Sequence, residues 1–166
     1  KTTEVLLNGL YALEYRGYDS AGVAISDGKN LEIIKSVGRV KELEAKINKE
    51  DKLNSVYGIA HTRWATNGEA NLVNAHPHKV GKITLVHNGI IENADTLKEE
   101  LEQKGYKFNS DTDSEVAAAM LDYKLKDNDI LTAIKLTTEI LTGSYAFGIM
   151  VEGDNSLYAL RKDSPL

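Results

Sequence analysis

One polar stretch reads Gly58-Ile-Ala-His-Thr-Arg-Trp-Ala-Thr-Asn-Gly68 and continues through Asn74-Ala-His-Pro-His78 to Val86-His-Asn-Gly89. All four histidines and the only tryptophan of the chain lie within it. Apolar residues lead into the stretch at 56–61 and return at 83–87, which predicts two buried strands that flank it. A loop that is held by strands and rich in hydrogen-bonding side chains is typical of a site for a small polar ligand.

Hydrophobic periodicity outward from this stretch predicts helices that segregate from strands. An amphipathic helix opens the chain, and Asp27-Gly28 is predicted to form the turn of a β-hairpin after it. Thr112-Asp-Ser-Glu115 matches a capping box at the start of a helix that ends near Leu125. The other predicted elements are an exposed helix at 41–47, helices at 93–104 and 129–141, and strands at 21–25, 31–34, 145–151 and 157–160. This order indicates an α+β layered domain.

Composition limits the class of protein. With 166 residues, 42% of them hydrophobic, the chain fits one domain, 1–166. The net charge is -5 and the basic residues are spread out, which disfavours nucleic acid as a partner. No apolar stretch is long enough to cross a membrane. The sequence has no cysteine for a disulfide framework and no signal-peptide pattern, so we expect a cytoplasmic protein.

Several motifs allow both a binding role and a purely structural one. Arg63 suits a carboxylate clamp or a surface salt bridge. Trp64 either walls a pocket beside Arg63 or packs in the core. Asn88-Gly89 fits an oxyanion hole or a hairpin turn. Asp113 either binds an ammonium group or complements the start of its helix. If Arg63 and Asp113 lie together, they suit an α-amino acid, but the sequence does not place them side by side.

Two further motifs favour structural explanations. Local structure explains much of the segment Tyr15-Arg-Gly-Tyr-Asp-Ser-Ala-Gly22, because Gly17 suits a helix C-cap and Asp19 suits a turn. The alternative is that this segment fixes a reacting group. His76-Pro-His78 has a metal-like spacing, but no acidic or thiol ligand lies nearby in sequence. We therefore favour a turn at Pro77 and expect neither a metal nor an organic cofactor.

Four blocks together resemble the glutaminase domains of class II glutamine amidotransferases of the glucosamine-6-phosphate synthase type. They are Tyr15-Arg-Gly-Tyr-Asp-Ser-Ala-Gly22, His61-Thr-Arg-Trp-Ala-Thr66 with Asn74-Ala-His-Pro-His78, Val86-His-Asn-Gly-Ile-Ile-Glu-Asn93 and Ser110-Asp-Thr-Asp-Ser-Glu115. The resemblance covers nearly the whole chain. It implies an N-terminal-nucleophile hydrolase-like fold, an αββα sandwich of two mostly antiparallel sheets between helix layers.

The resemblance also implies roles for individual residues. Asn88 and Gly89 would stabilise an oxyanion, Arg63 would hold the glutamine carboxylate, and Asp113 would hold its α-ammonium group. Arg16 and Gly17 would orient an N-terminal amine, and Trp64, Thr66, Asn67 and His76 would surround the pocket. Asn67 stands where the family often has histidine, so one pocket contact is expected to differ.

The nucleophile is the main departure from the family pattern. There an N-terminal cysteine, in a strand ahead of the first helix, attacks the glutamine amide. This sequence has no cysteine and begins at Lys1. We therefore expect a glutaminase domain that lacks its first strand, is truncated at both ends and does not hydrolyse glutamine. A glutaminase of the phosphoribosylpyrophosphate type, a non-catalytic glutamine-binding module and a metal hydrolase are the alternatives.

The resemblance implies glutamine and the sugar-isomerase domain of a full-length enzyme as partners. That enzyme converts fructose 6-phosphate to glucosamine 6-phosphate with ammonia from glutamine. We expect no nucleic acid and no membrane partner, and homo-oligomers in the full-length enzyme only.

Overall fold

Two antiparallel sheets pack face to face in the computed structural model, which describes residues 1–50, 53–65 and 68–165. The helices are α1 (Thr2–Leu13), α2 (Val40–Glu50), α3 (Ala94–Gln103), α4 (Asp113–Leu125) and α5 (Ile130–Ile140). The strands are β1 (Ser20–Ser26), β2 (Leu31–Val37), β3 (Tyr57–Arg63), β4 (His78–Val80), β5 (Ile83–Ile91), β6 (Gly143–Val151) and β7 (Leu157–Lys162). A short 3-10 helix at Glu14–Arg16 joins α1 to β1.

The first sheet has the strand order β2-β1-β3, and α1 and α2 cover its outer face. The β1–β2 hairpin turns at Asp27-Gly28 as predicted, with Gly28 at a φ of 94°. Oδ1 of Asp27 accepts hydrogen bonds from the backbone N–H groups of Lys29 and Asn30 at 2.8 and 2.7 Å, which closes the turn.

The second sheet has the order β4-β5-β6-β7 and packs against α3, α4 and α5. Helix α4 lies in the middle of this layer, and every residue from Ser114 to Asp122 is buried. Between the two sheets, Ala24, Ile59 and Met150 form a separate buried cluster. The layers therefore follow the predicted order of helices, sheet, sheet and helices.

Local structure departs from the prediction at β4 and β5. β4 was not predicted, because Pro77 and the two histidines beside it do not look like a strand. Strand β5 was expected to end near His87 but runs to Ile91, and Asn88-Gly89 pairs with β6 instead of forming a hairpin turn. Helix α2 lies on the outside as expected, with Val40, Leu43 and Ile47 buried against the first sheet.

Within the described residues, no helix combines the length and apolar character needed to cross a bilayer.

Candidate functional site

The two sheets and α4 enclose a cavity of about 440 Å³. Its walls come from the end of β3, the middle of β5 and the first turn of α4, with the end of α1 at its side. The candidate residues that line it are Arg16, Arg63, Trp64, His76, Asn88, Gly89 and Asp113, together with His61, His87 and Ser114. Folding thus brings together residues from segments far apart in the sequence. Thr66 and Asn67 lie outside the described residues.

Arg63 ends β3 with its side chain 6% exposed, so a surface salt bridge is the wrong interpretation. Its guanidinium donates hydrogen bonds to the carbonyl oxygens of Glu69 at 3.2 Å and Gly68 at 3.4 Å. Nη1 also lies 3.6 Å from Oδ1 of Asp19. The guanidinium therefore places a positive charge at the cavity wall and holds the backbone carbonyls of Gly68 and Glu69.

The segment around Gly17 and Asp19 packs against the backbone of Arg63 and Ala65. A carboxylate oxygen of Asp19 accepts a hydrogen bond from the N–H of Ala65, and the N–H of Asp19 donates to the carbonyl of Arg63 at 3.1 Å. A Cβ on Gly17 would lie 2.8 Å from the carbonyl carbon of Arg63, so glycine is required for this approach. Gly17 lies against the backbone of Arg63, whereas Arg16 lines the cavity.

Asp113 provides the opposite charge from the first turn of α4. Its Oδ2 accepts a hydrogen bond from the N–H of Ile91 at 2.8 Å, which fixes the carboxylate at the end of β5. Its Oδ1 lies 3.4 Å from Oγ of Ser114 and 3.6 Å from Nδ1 of His87. Arg63 and Asp113 therefore present a cation and an anion to one cavity, the juxtaposition that the sequence did not establish.

Asn88 and Gly89 line the cavity from within β5. Gly89 has a φ of 122°, and a Cβ at this position would lie 2.1 Å from the carbonyl oxygen of Ser144. The side-chain oxygen of Asn88 lies 2.8 Å from Nε2 of His61, which belongs to the first sheet. A side-chain amide and a glycine backbone are therefore both available at the cavity surface.

Four histidines form a polar network that the sequence did not predict as a unit. The rings of His61 and His76 stack with centroids 4.1 Å apart, and His78 meets His76 edge-on at 4.7 Å. Ser114 joins the cluster through His87 Nδ1 at 2.8 Å and His76 Nε2 at 3.4 Å. The accumulation of all four histidines in one stretch was the available signal, but their partners on α4 lie far away in the sequence.

Burial disfavours the charged form of each ring in this cluster. It lowers the pKa of His61, lowers that of His76 well below its ordinary value, and lowers that of His78 to about 3. It also lowers the pKa of His87 to about 4, with Asp113 acting in the opposite direction. The histidines are therefore neutral at neutral pH and act as hydrogen-bonding groups instead of cations.

Trp64 lies at the mouth of the cavity with 60% of its surface exposed, so it is not a core residue. The edge of Tyr18 packs against it with ring centroids 5.7 Å apart. Across 1–50, 53–65 and 68–165, no set of three or more histidine or acidic side chains is arranged to hold a metal ion.

A family model described as "Glutamine amidotransferase domain" matches residues 64–164. The chain is 49% identical to the glutamine–fructose-6-phosphate aminotransferase [isomerizing] of Bacteroides thetaiotaomicron, with 100% of this chain and 28% of the relative covered. It is 47% identical to the protein of the same name from Clostridium perfringens, with 100% and 27% covered. The chain thus spans less than a third of the length of these relatives.

Two solved structures are similar to this one. The glutamine phosphoribosylpyrophosphate amidotransferase from B. subtilis, complexed with ADP and GMP, matches with a TM-score of 0.74 and 30% identity over 90% of this chain and 32% of the other. The structure of the allosteric regulatory enzyme of purine biosynthesis matches with a TM-score of 0.73 and 32% identity over 90% of this chain and 33% of the other. These similarities, together with the layered sheets, confirm the predicted fold class.

Proposed function

This chain belongs to the glutamine amidotransferase family, and from that premise we propose that it is the glutamine-binding glutaminase domain of an enzyme that makes glucosamine 6-phosphate. The observation that carries the proposal is the pair of opposite charges in one cavity, Arg63 from β3 and Asp113 from α4. Arg63 binds the α-carboxylate of glutamine through its guanidinium fork, and Asp113 binds the α-ammonium group.

The remaining candidates act on the side chain of glutamine or on the shape of the pocket. Asn88 and the N–H of Gly89 donate hydrogen bonds to the side-chain carbonyl oxygen, where negative charge develops when the amide is attacked. Arg16 and Gly17 would orient an N-terminal amine of the kind that the family uses. Trp64 and His76 complete the walls, and we propose that Thr66 and Asn67 also contact glutamine.

The reaction implied by the family needs a thiol, and the sequence contains no cysteine. We therefore propose that these residues alone bind glutamine without hydrolysing it. Ammonia release from glutamine well above a no-protein blank, abolished by Asn88→Ala, would contradict this part of the proposal.

The names of the relatives support the proposed acceptor. Their names specify fructose 6-phosphate as the substrate and an isomerizing activity. We propose that the ammonia passes to fructose 6-phosphate on a sugar-isomerase domain, in a cytoplasmic enzyme that forms homo-oligomers. The identity of 47–49% with these relatives, against 30–32% with the two similar structures, favours this acceptor over phosphoribosylpyrophosphate.

Calorimetric titration with L-glutamine tests the function. The wild-type chain should bind, and Asp113→Asn should bind at least about tenfold more weakly, because a charge-assisted hydrogen bond to the ammonium group is lost. Asp95→Asn is the matched control, because Asp95 also lies in the first turn of a helix but is exposed. Absence of glutamine binding by the wild-type chain, or an equal loss in both variants, would refute the proposal.

A further inference from the structure

The side-chain amide of Asn88 is held by a residue of the opposite sheet. Nε2 of His61, in β3, lies 2.8 Å from Oδ1 of Asn88, in β5. A neutral imidazole either donates or accepts at this nitrogen. If Nε2 carries the proton, the amide oxygen faces His61 and the NH₂ group is left for the cavity; if Nε2 is bare, the amide is reversed. The tautomer of His61 therefore decides whether Asn88 offers the cavity a donor or an acceptor.

The ring plane of His61 is fixed by His76. The two rings stack with centroids 4.1 Å apart and planes 21° apart. The N–H of His87 donates to Nδ1 of His76 at 3.3 Å, and a backbone N–H can only donate. His76 therefore carries its proton on Nε2, which faces Oγ of Ser114 at 3.4 Å. The backbone of β5, one residue before Asn88, thus sets the ring against which His61 packs.

The other nitrogen of His61 identifies the tautomer. Nδ1 is buried and makes no hydrogen bond among the described residues. The backbone carbonyl of His87 lies near the ring and favours a protonated nitrogen, but it forms no hydrogen bond with Nδ1. A proton there would create a buried N–H with no acceptor, whereas a bare lone pair in the same place is less costly. Burial also lowers the pKa of His61, so the ring is neutral at neutral pH. The single proton therefore belongs on Nε2, facing Asn88.

We propose that His61 is a positioning residue whose Nε2–H holds Oδ1 of Asn88, so that the Asn88 NH₂ group faces the cavity and donates to the side-chain carbonyl of bound glutamine. The identity of the ligand rests on the proposed function, whereas the orientation of the amide does not. His61 acts through Asn88, and its removal leaves the charges of Arg63 and Asp113 in place.

Nitrogen-15 NMR of the ligand-free chain tests the tautomer directly. Long-range proton–nitrogen correlations should show a protonated Nε2 and a bare Nδ1 for His61, with the signals assigned by their loss in His61→Gln. A ring protonated on Nδ1 alone would reverse the amide and overturn the inference.

Binding of two ligands tests the consequence. L-Norvaline shares the charged groups of L-glutamine but has a methyl group in place of the carboxamide. His61→Phe keeps the stacked ring without the N–H and should weaken L-glutamine binding about threefold to tenfold, the worth of one hydrogen bond, while L-norvaline binding is unchanged. His61→Gln retains an N–H donor and should recover most of the glutamine affinity.

Equal weakening of both ligands by His61→Phe would mean that His61 only supports the fold, and would overturn the inference. If His61→Phe does not fold, the tautomer of the wild-type ring and the glutamine affinity of His61→Gln still test the inference. A wild-type chain that shows the Nε2 tautomer but binds no glutamine refutes the proposed function and leaves the orientation of Asn88 intact.

Discussion

At Gly89 the absence of a side chain allows β5 to pass close to β6 beside the cavity. A Cβ here would lie 2.1 Å from the carbonyl oxygen of Ser144 and 2.8 Å from Cα of Tyr145. Gly89→Ala should therefore lower the free energy of unfolding by about 2–4 kcal/mol, the sum of backbone strain at a positive φ and overpacking. Urea unfolding measures the change.

Gly105→Ala separates the cost of backbone strain from the cost of overpacking. Gly105 has a φ of 92°, but nothing lies within 4 Å of a Cβ placed on it, so only the backbone cost of about 1–2 kcal/mol should appear. Equal losses in the two variants would show that the contact with Ser144 has no energetic effect.

The sequence points to single residues but not to their neighbours in space. Arg63 and Asp113 were chosen for their chemistry, because a guanidinium fork and a carboxylate have few roles in a polar segment. Their meeting in one cavity depends on the packing of β3 against β5, which spacing along the chain does not encode. The contacts of His61 with Asn88 and of His87 with Ser114 were missed for the same reason.

Helix α4 is fastened to the segment before it by Glu115. The carboxylate accepts hydrogen bonds from the N–H of Ser110 at 2.7 Å, the hydroxyl of Ser110 at 2.6 Å and the N–H of Asn109 at 3.1 Å. Glu115→Ala leaves these donors without their acceptor in a buried place and should cost about 2–4 kcal/mol of stability. Chemical denaturation checks this, with the exposed Glu100→Ala as a control that should change stability by less than about 0.5 kcal/mol.

The same substitution should weaken glutamine binding, because the fastened segment leads directly into Asp113. A stable Glu115→Ala variant with unchanged glutamine affinity would show that the start of α4 is held by other contacts.

Elements with strong local signals were predicted well. Asp27-Gly28 specified the first hairpin, and Thr112 caps α4, since its hydroxyl accepts from the N–H of Glu115 at 3.4 Å. The predicted capping box is only half present, because the Glu115 side chain reaches Asn109 and Ser110 instead of the N–H of Thr112. Strand β4 was missed because its three residues exist only through pairing with β5.

The buried histidines make the stability of the whole molecule depend on pH. Burial lowers the pKa of His87 to about 4 and that of His78 to about 3, whereas a histidine in the unfolded chain has a pKa of about 6.5. Below about pH 6.5 the unfolded state therefore binds protons that the folded state excludes. Stability is fully present above that pH and should fall as the pH decreases, by up to about 1.4 kcal/mol per pH unit for each histidine.

Urea unfolding between about pH 7.5 and pH 5 measures this slope above the range in which most carboxylates titrate. His78→Gln should give a shallower slope, because one buried titrating group is gone. A free energy of unfolding that is equal at both ends of this range would show that the histidine cluster accepts protons without strain.

The apolar cluster between the two sheets is smaller than the cluster that each sheet forms with its own helices. Each sheet has an extensive apolar layer with its own helices, whereas Ala24, Ile59 and Met150 form the cluster between the sheets. The cavity opens along this seam, with His61 on one side and Asn88 on the other. A bound amino acid that contacts both sheets would link them across the cavity. It would slow hydrogen exchange in β3 and β5 together, even though the two strands belong to different sheets.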